Sequence, residues 1–314
     1  MLHSHRYRYF NLSLTAGRAL AELPSLSQPS PHEVSIEFQH NEDHSTRFKD
    51  AIELWHDTLN TLSVHRHNNE MLIRFKNLAD FVFNDFLKTM TCFPSDTASP
   101  ETLDHLLLDQ ILPRVLAHTG ELVLHAGAVS LGSEAITFLG ETGYGKSTLT
   151  ASFSSQGYHL LSDDTLVLTQ DGKKAFIEAP YPCIRLLPDS LKSIYQEKAK
   201  TSKMAHYSDK RRVKLNRQES VVSGKLPLKA LFVLGERSES DRIEINPLPE
   251  SQACMELIRH SFQLDPTDKT KAMALFNTAS GLAADLQVFE LNYPREYTRL
   301  DDVRQEILNA VQAA

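Results

Sequence analysis

The chain has no run of 18 or more apolar residues among its 314, so a membrane-spanning helix is not expected. Its first residues, MLHSHRYRYF, are basic but are followed by no apolar core and no small-residue cleavage site, which argues against a secretory signal. Cysteine is scarce: Cys92, Cys183 and Cys254 are scattered and odd in number, which fits a reducing cytoplasm and excludes a disulfide framework. Basic excess is missing too. The net charge of −7 speaks against a nucleic-acid partner, which would call for a basic face. No internal repeat is present. His65 and His67 have no cysteine or carboxylate at ligand spacing, so they read as exposed imidazoles on a polar strand or turn.

What is present is enough apolar sequence, 41%, for a sizeable core in one large domain or two ordinary ones. Residues 1–98 read as a small β-rich domain, with strands at VSIEFQH (34–40), MLIRF (71–75) and ADFVFND (79–85) and a helix-like spacing over TRFKDAIELWHDTL (46–59). A second domain, 99–314, opens with a helix. Ser99 caps it, Pro100 suits its first turn, Glu101 favours the positive end of the dipole, and Pro113 is expected to kink it. From residue 121 strands and helices alternate: ELVLHAGAVSL (121–131), AITFLG (135–140), a helix over 146–156, YHLLSDDTLVLT (158–169), KALFVLG (229–235) and LQVFELNY (286–293). The segment 200–228, rich in Lys, Arg and Ser, reads as a long loop. Its part 200–217 is expected to be mobile and to close over a site.

Gly140-Glu141-Thr142-Gly143-Tyr144-Gly145-Lys146-Ser147 fits G-x-x-x-x-G-K-[ST] at every fixed position, and Thr148 follows. At ordinary residue frequencies a chance match in a chain of this length is on the order of 1%. The strand before it and the helix after it are what the motif needs. Backbone N–H groups can curl around phosphates only where side chains are absent, hence the three glycines. The helix N-terminus adds positive potential, Lys146 reaches the β/γ oxygens, and the Ser147 hydroxyl is a Mg²⁺ ligand. ATP with Mg²⁺ is therefore the expected ligand.

Seventeen and eighteen residues after Lys146 stand Asp163 and Asp164. Adjacent carboxylates on a strand point to opposite faces, so one can serve the metal (Asp164 is the choice here) and the other the acceptor hydroxyl, unless the strand ends there. His125, on the strand before the loop's own strand, is a candidate partner for Asp163. Arg185 and Arg212 are candidates for meeting charge on a transferring phosphoryl group.

Taken together, LHAGAVSLGSEAITFLGETGYGKSTLTASFSSQGYHLLSDDTLVL (124–168) resembles the HPr kinase/phosphorylase superfamily. The resemblance covers about a seventh of the chain. It implies a P-loop kinase domain of the HPr kinase and phosphoenolpyruvate-carboxykinase type. It also implies an aspartate acting as base on a serine hydroxyl with help from the histidine, roles that fall on Asp163, Asp164 and His125. The family's His-Gly pair is His125-Ala126 here, its glycine-rich signature after the acidic strand is replaced by EAPYPCIRLLPDSL (178–191), and the first hundred residues differ from the HPr kinase N-terminal domain. The layout is similar to HPr-kinase-like proteins of modified-peptide biosynthesis, which include kinases of lasso-peptide precursors. The expected activity is ATP-dependent transfer to a hydroxyl, foremost a serine of a peptide or protein. The alternatives are a small-molecule kinase and a nucleotide-binding regulator without transfer. No membrane partner is expected, and the reading admits a homo-oligomer.

Overall fold

A computed structural model of the chain describes residues 5–26, 32–39, 48–84, 87–196, 199–213, 224–236 and 241–313. The chain is mixed α/β with several sheets and a β-rich N-terminal region. It divides into two units. The first comprises Met1–Thr119, Ala205–Tyr207 and Gln263–Ala272, and the second Gly120–Met204, Ser208–Phe262 and Met273–Ala314.

The first unit is built on one sheet of β1 (His5–Tyr9), β2 (Leu12–Ala16), β3 (His32–Phe38), β4 (Ile52–His56), β5 (Leu62–His67), β6 (Glu70–Phe75), β7 (Ala79–Asn84) and β8 (Thr89–Pro94). Its order is β1-β2-β3-β8-β7-β6-β5-β4, with β2–β3 and β3–β8 parallel and the other pairs antiparallel. Val64, Leu72, Ile73, Phe81, Met90 and Cys92 are buried along its centre. Asn68, at φ 53°, supplies the left-handed turn between β5 and β6. The helix expected over 46–59 is not found over its described part. Ile52 and Trp55 pair with Arg66 and Val64 as edge strand β4, so cross-strand pairing overrides a helical spacing; residues 46 and 47 lie outside the described residues.

The expected helix forms as α1 (Pro100–Leu106), a π turn (Leu107–Ile111) and α2 (Leu112–His118), and Ser99 Oγ accepts from Thr102 N at 3.3 Å. Pro113 lacks an N–H and crowds the carbonyl four residues back, and the wider π turn just before it accommodates both. These helices belong with the first unit, so the units divide after Thr119 and not at residue 98. Arg18 to Asp104 (2.6 Å) and Tyr9 Oη to Leu108 O (3.5 Å) are among the ties.

In the second unit, β9 (Leu122–Leu124), β10 (Gly127–Leu131), β11 (Glu134–Leu139), β12 (Leu160–Ser162), β13 (Leu166–Asp171), β14 (Lys174–Glu178), β18 (Leu226–Leu234), β19 (Glu244–Pro247) and β20 (Val288–Asn292) form nine strands. The middle of the sheet runs β12-β10-β11-β18-β20, with β11, β18 and β20 mutually parallel. One face is covered by α3 (Lys146–Ser155) and α7 (Leu300–Ala313), through Leu149, Phe153, Val303 and Ile307. The other is covered by α5 (Glu250–Arg259) and α6 (Lys269–Asp285), through Cys254, Leu257, Ala279 and Leu282. A sheet buried on both faces explains the nearly continuous apolar runs AITFL and KALFVL. A small sheet, β15 (Arg185–Leu186), β17 (Ser208–Val213) and β16 (Thr201–Ala205), follows α3 and carries α4 (Pro188–Tyr195). The expected mobile loop 200–217 is thus largely a hairpin. Met204, Ala205 and Val213 give it a buried side that its charged residues obscure in the sequence, and residues 214–217 lie outside the described residues.

Candidate functional site

Two strands expected to be continuous are broken, and the breaks face each other. β9 gives way to β10 across His125-Ala126, and β12 gives way to β13 across Asp163-Asp164-Thr165. The two chains run antiparallel: Leu124 pairs with Leu166 on one side of the break and Ala128 with Ser162 on the other. The registry therefore sets His125 opposite the acidic pair, and frees both carboxylates from the alternation of a regular strand.

The start of α3 lies beside them, with Lys146 close enough to Asp163 and Asp164 to act on both electrostatically. Gly140, Gly143 and Gly145 take φ of +151°, +88° and +94°, conformations costly for any other residue. A Cβ on Gly140 would also lie 3.0 Å from Leu234 Cβ. The loop they shape leaves β11 at the carboxyl ends of the parallel strands, where open α/β sheets bind ligands. It ends on the N-terminus of α3, whose leading N–H groups can take an anion. Lys146, 6% exposed, donates through Nζ to Gly140 O (2.6 Å) and Glu141 O (3.3 Å), folded over the loop it would share with phosphate. Burial holds its ammonium below the usual lysine range. Glu141, Thr142 and Gly143 are exposed at the rim, while Tyr144 packs on the core. Thr148 Oγ1 contacts Ser190 Oγ at 3.0 Å.

Asp163 is 1% exposed. Its Oδ2 accepts from Arg185 N at 3.2 Å, Oδ1 has no hydrogen-bond partner, and the Ser147 hydroxyl is near enough to favour the ionised carboxylate. Burial first, and the neighbouring Asp164 second, push its carboxyl well up, to about 7. Asp164 is more open and forms an ion pair with Arg185 Nη1. Arg185, 2% exposed, is thereby committed to holding Asp164 and does not present its charge to the cleft. Arg212 stands opposite Arg185 in the β15–β17 register. Lys210, two residues along and so on the same side of β17, is close enough to Asp163, Lys146 and His125 to act on all three electrostatically.

The histidine is held by its backbone: His125 N donates to His260 O at 2.8 Å, and its ring lies 5.9 Å from that of Phe262. The imidazole is partly open to solvent yet densely surrounded by protein. Burial, then the Lys146 ammonium, push it down to about 4, so it is neutral near pH 7. His260, at the end of α5 and 3.3 Å from Glu256, is pushed to about 4 for the same two reasons. The structure thus brings His125, Asp163, Asp164, Arg185, Lys146 and Ser147 together beside the start of α3. Sequence reading missed the Glu256–His260 pair and Arg295, whose Cδ would lie 3.9 Å from a Cβ on Gly145. The one available signal was position: Tyr293-Pro294-Arg295 leaves the carboxyl end of a core strand.

Among solved structures, that of the Hpr(Ser) kinase/phosphatase from Coxiella burnetii is similar to this chain, with 12% identity and a TM-score of 0.30, over 60% of this chain and 97% of that one. No protein-family model matches the chain. No curated protein matches it either. What this site can do is therefore read from its own residues.

Proposed function

We propose that this chain is a kinase that binds ATP with Mg²⁺ on the glycine loop and transfers the γ-phosphoryl group to a hydroxyl, foremost that of a serine in a peptide or protein. The observation that carries the reading is the meeting, at one end of the sheet, of an anion-binding loop with a buried carboxylate whose Oδ1 lacks a partner. A loop alone would suit any nucleotide binder. Such a carboxylate is costly to bury unless a proton or a cation comes to it during function.

The donor set fits Mg²⁺. Ser147 and Asp164 are hard oxygen donors beside the loop, and Mg²⁺ is ordinarily held by one or two carboxylates with phosphates and water completing the shell. Among the described residues no ready cage of three His, Cys, Asp or Glu side chains exists. Bound there, Mg²⁺ would neutralise charge on the β- and γ-phosphates. The loop N–H groups and Lys146 hold the phosphates in place. Asp163, whose affinity for protons is raised by burial, takes the proton of the acceptor hydroxyl as its oxygen bonds to the γ-phosphorus and the bond to the β-phosphate oxygen breaks. His125, neutral, flanks that aspartate, and Arg185 holds Asp164 in place through their ion pair.

The test is a transfer assay with γ-labelled ATP, Mg²⁺ and serine-containing peptides, alongside small alcohols and sugars. Label on a peptide serine, lost in Asp163→Asn, is the expected result. Nucleotide binding with no transfer to any acceptor class would leave a regulator in its place.

A further inference from the structure

The sheet order places β11 between two flanks. The acidic break lies on the β10–β12 side, and the ends of β18 and β20 lie on the other. From β20 the chain continues as Tyr293-Pro294-Arg295, directly against the glycine loop: a Cβ on Gly145 would lie 3.1 Å from Tyr293 Oη. Arg295 is fixed there. Its Nη2 donates to Gly235 O at 2.7 Å, and its guanidinium carbon lies 3.8 Å from the centre of the Tyr293 ring. Among the described residues no carboxylate pairs with it, and its Nη1 has no hydrogen-bond partner. A partly buried guanidinium with its charge unneutralised and one arm unused, beside an anion-binding loop, calls for an anion. Arg185 differs in this respect, being neutralised by Asp164.

We infer that Arg295 binds the α-phosphate of the nucleotide, the phosphate joined to the ribose. The inference rests on the proposed kinase reading. Transfer requires the γ-phosphate on the Asp163 flank, so a phosphate chain lying across the start of α3 brings its nucleoside end to the opposite flank, where Arg295 stands. Arg295 is then a positioning residue that tells a nucleoside triphosphate from pyrophosphate, which fills only the β and γ places, and it reads phosphate and not base.

The experiment is titration of the full chain, with Mg²⁺ present, by ATP, GTP and pyrophosphate, for the parent protein, Arg295→Ala and Arg295→Lys. The loss of one charge-assisted contact predicts a rise of roughly tenfold in the Kd for ATP in Arg295→Ala. GTP should weaken by the same factor if the parent binds it, pyrophosphate should stay within about twofold, and Arg295→Lys should fall between. Arg295 also holds Gly235, so the melting temperature of each variant is measured. If Arg295→Ala does not fold, Arg295→Lys, which keeps a donor for Gly235 O, carries the test. Equal weakening of ATP and pyrophosphate, unchanged ATP binding, or weakening of one nucleotide with no effect on the other overturns the assignment. Failure of the parent protein to bind any of the three ligands removes the kinase reading itself, and the two failures are thus told apart.

Discussion

Two sets of buried polar groups, one in each unit, are treated in opposite ways. In the first, Asp80 is gripped by Arg74 through bonds of 2.8–3.1 Å, Asp109 is 2.6 Å from His105 Nδ1, and Thr102 Oγ1 is 2.8 Å from His206. In the second, the polar groups at the facing strand breaks are left unbalanced: Asp163 Oδ1 lacks a partner, the Asp163 carboxyl is pushed up, and the His125 and His260 imidazoles are pushed down. Paired groups offset the cost of their own burial, while unbalanced ones leave it to be met by a ligand or a proton. The contrast between these two sets can be broken or sharpened by mutation.

The largest effect is expected at Asp163. Asp163→Asn keeps the shape and removes the proton acceptor, and loss of a general base predicts a transfer rate lower by about 10²–10⁴. ATP affinity should change little. Single-turnover kinetics with calorimetry on the same variant checks both halves, and an equal loss of binding and rate would merge the roles kept apart here.

Next comes Arg74→Ala in the first unit. It leaves Asp80, 8% exposed, without its guanidinium, and the expected cost is about 1–3 kcal/mol of stability. Transfer per folded molecule should be unchanged. Denaturant unfolding beside the activity assay gives the answer, and a catalytic defect without a stability loss would erase the distinction between the units.

The smallest effect is in pH dependence. The pKa of His125 is depressed to about 4 in the folded chain, against about 6.5 when unfolded, so the unfolded state binds more protons across that window. Its contribution is complete above pH 6.5 and lost as pH falls toward 4. Asp163, whose pKa is raised on folding, acts in the opposite sense, so the useful quantity is a difference. The stability of the parent minus that of His125→Phe should fall by about 1–2 kcal/mol between pH 7 and pH 5. A constant difference would mean that the imidazole is not shielded.

How much of this was legible depended on range. The glycine loop could be read because its demands are local: left-handed torsions at Gly140, Gly143 and Gly145, then a helix. The breaks at His125 and Asp163 could not, since apolar residues on both sides of each let LVLHAGAV and HLLSDDTLVL read as single strands, and only the pairing of β9 with β13 and β10 with β12 shows where each strand stops. For the same reason Asp163 and Asp164, lying between β12 and β13, are not bound by strand alternation. Charge misled in β16–β17, where a hairpin with one buried side resembled a solvated loop. Arg295 was hidden by distance, since it stands 150 residues after Gly145 (295 − 145) and only the fold brings the end of β20 beside that glycine.

The central claim is that the glycine loop holds a nucleotide with Mg²⁺, and thermal unfolding with ligand tests it most directly. ATP with Mg²⁺ at 100 times its Kd should stabilise the parent by about 2.7 kcal/mol. Lys146→Ala, folded and melting near the parent without ligand, should show no such rise. A parent protein whose melting temperature does not move with ATP, GTP or pyrophosphate in the presence of Mg²⁺ would contradict the claim.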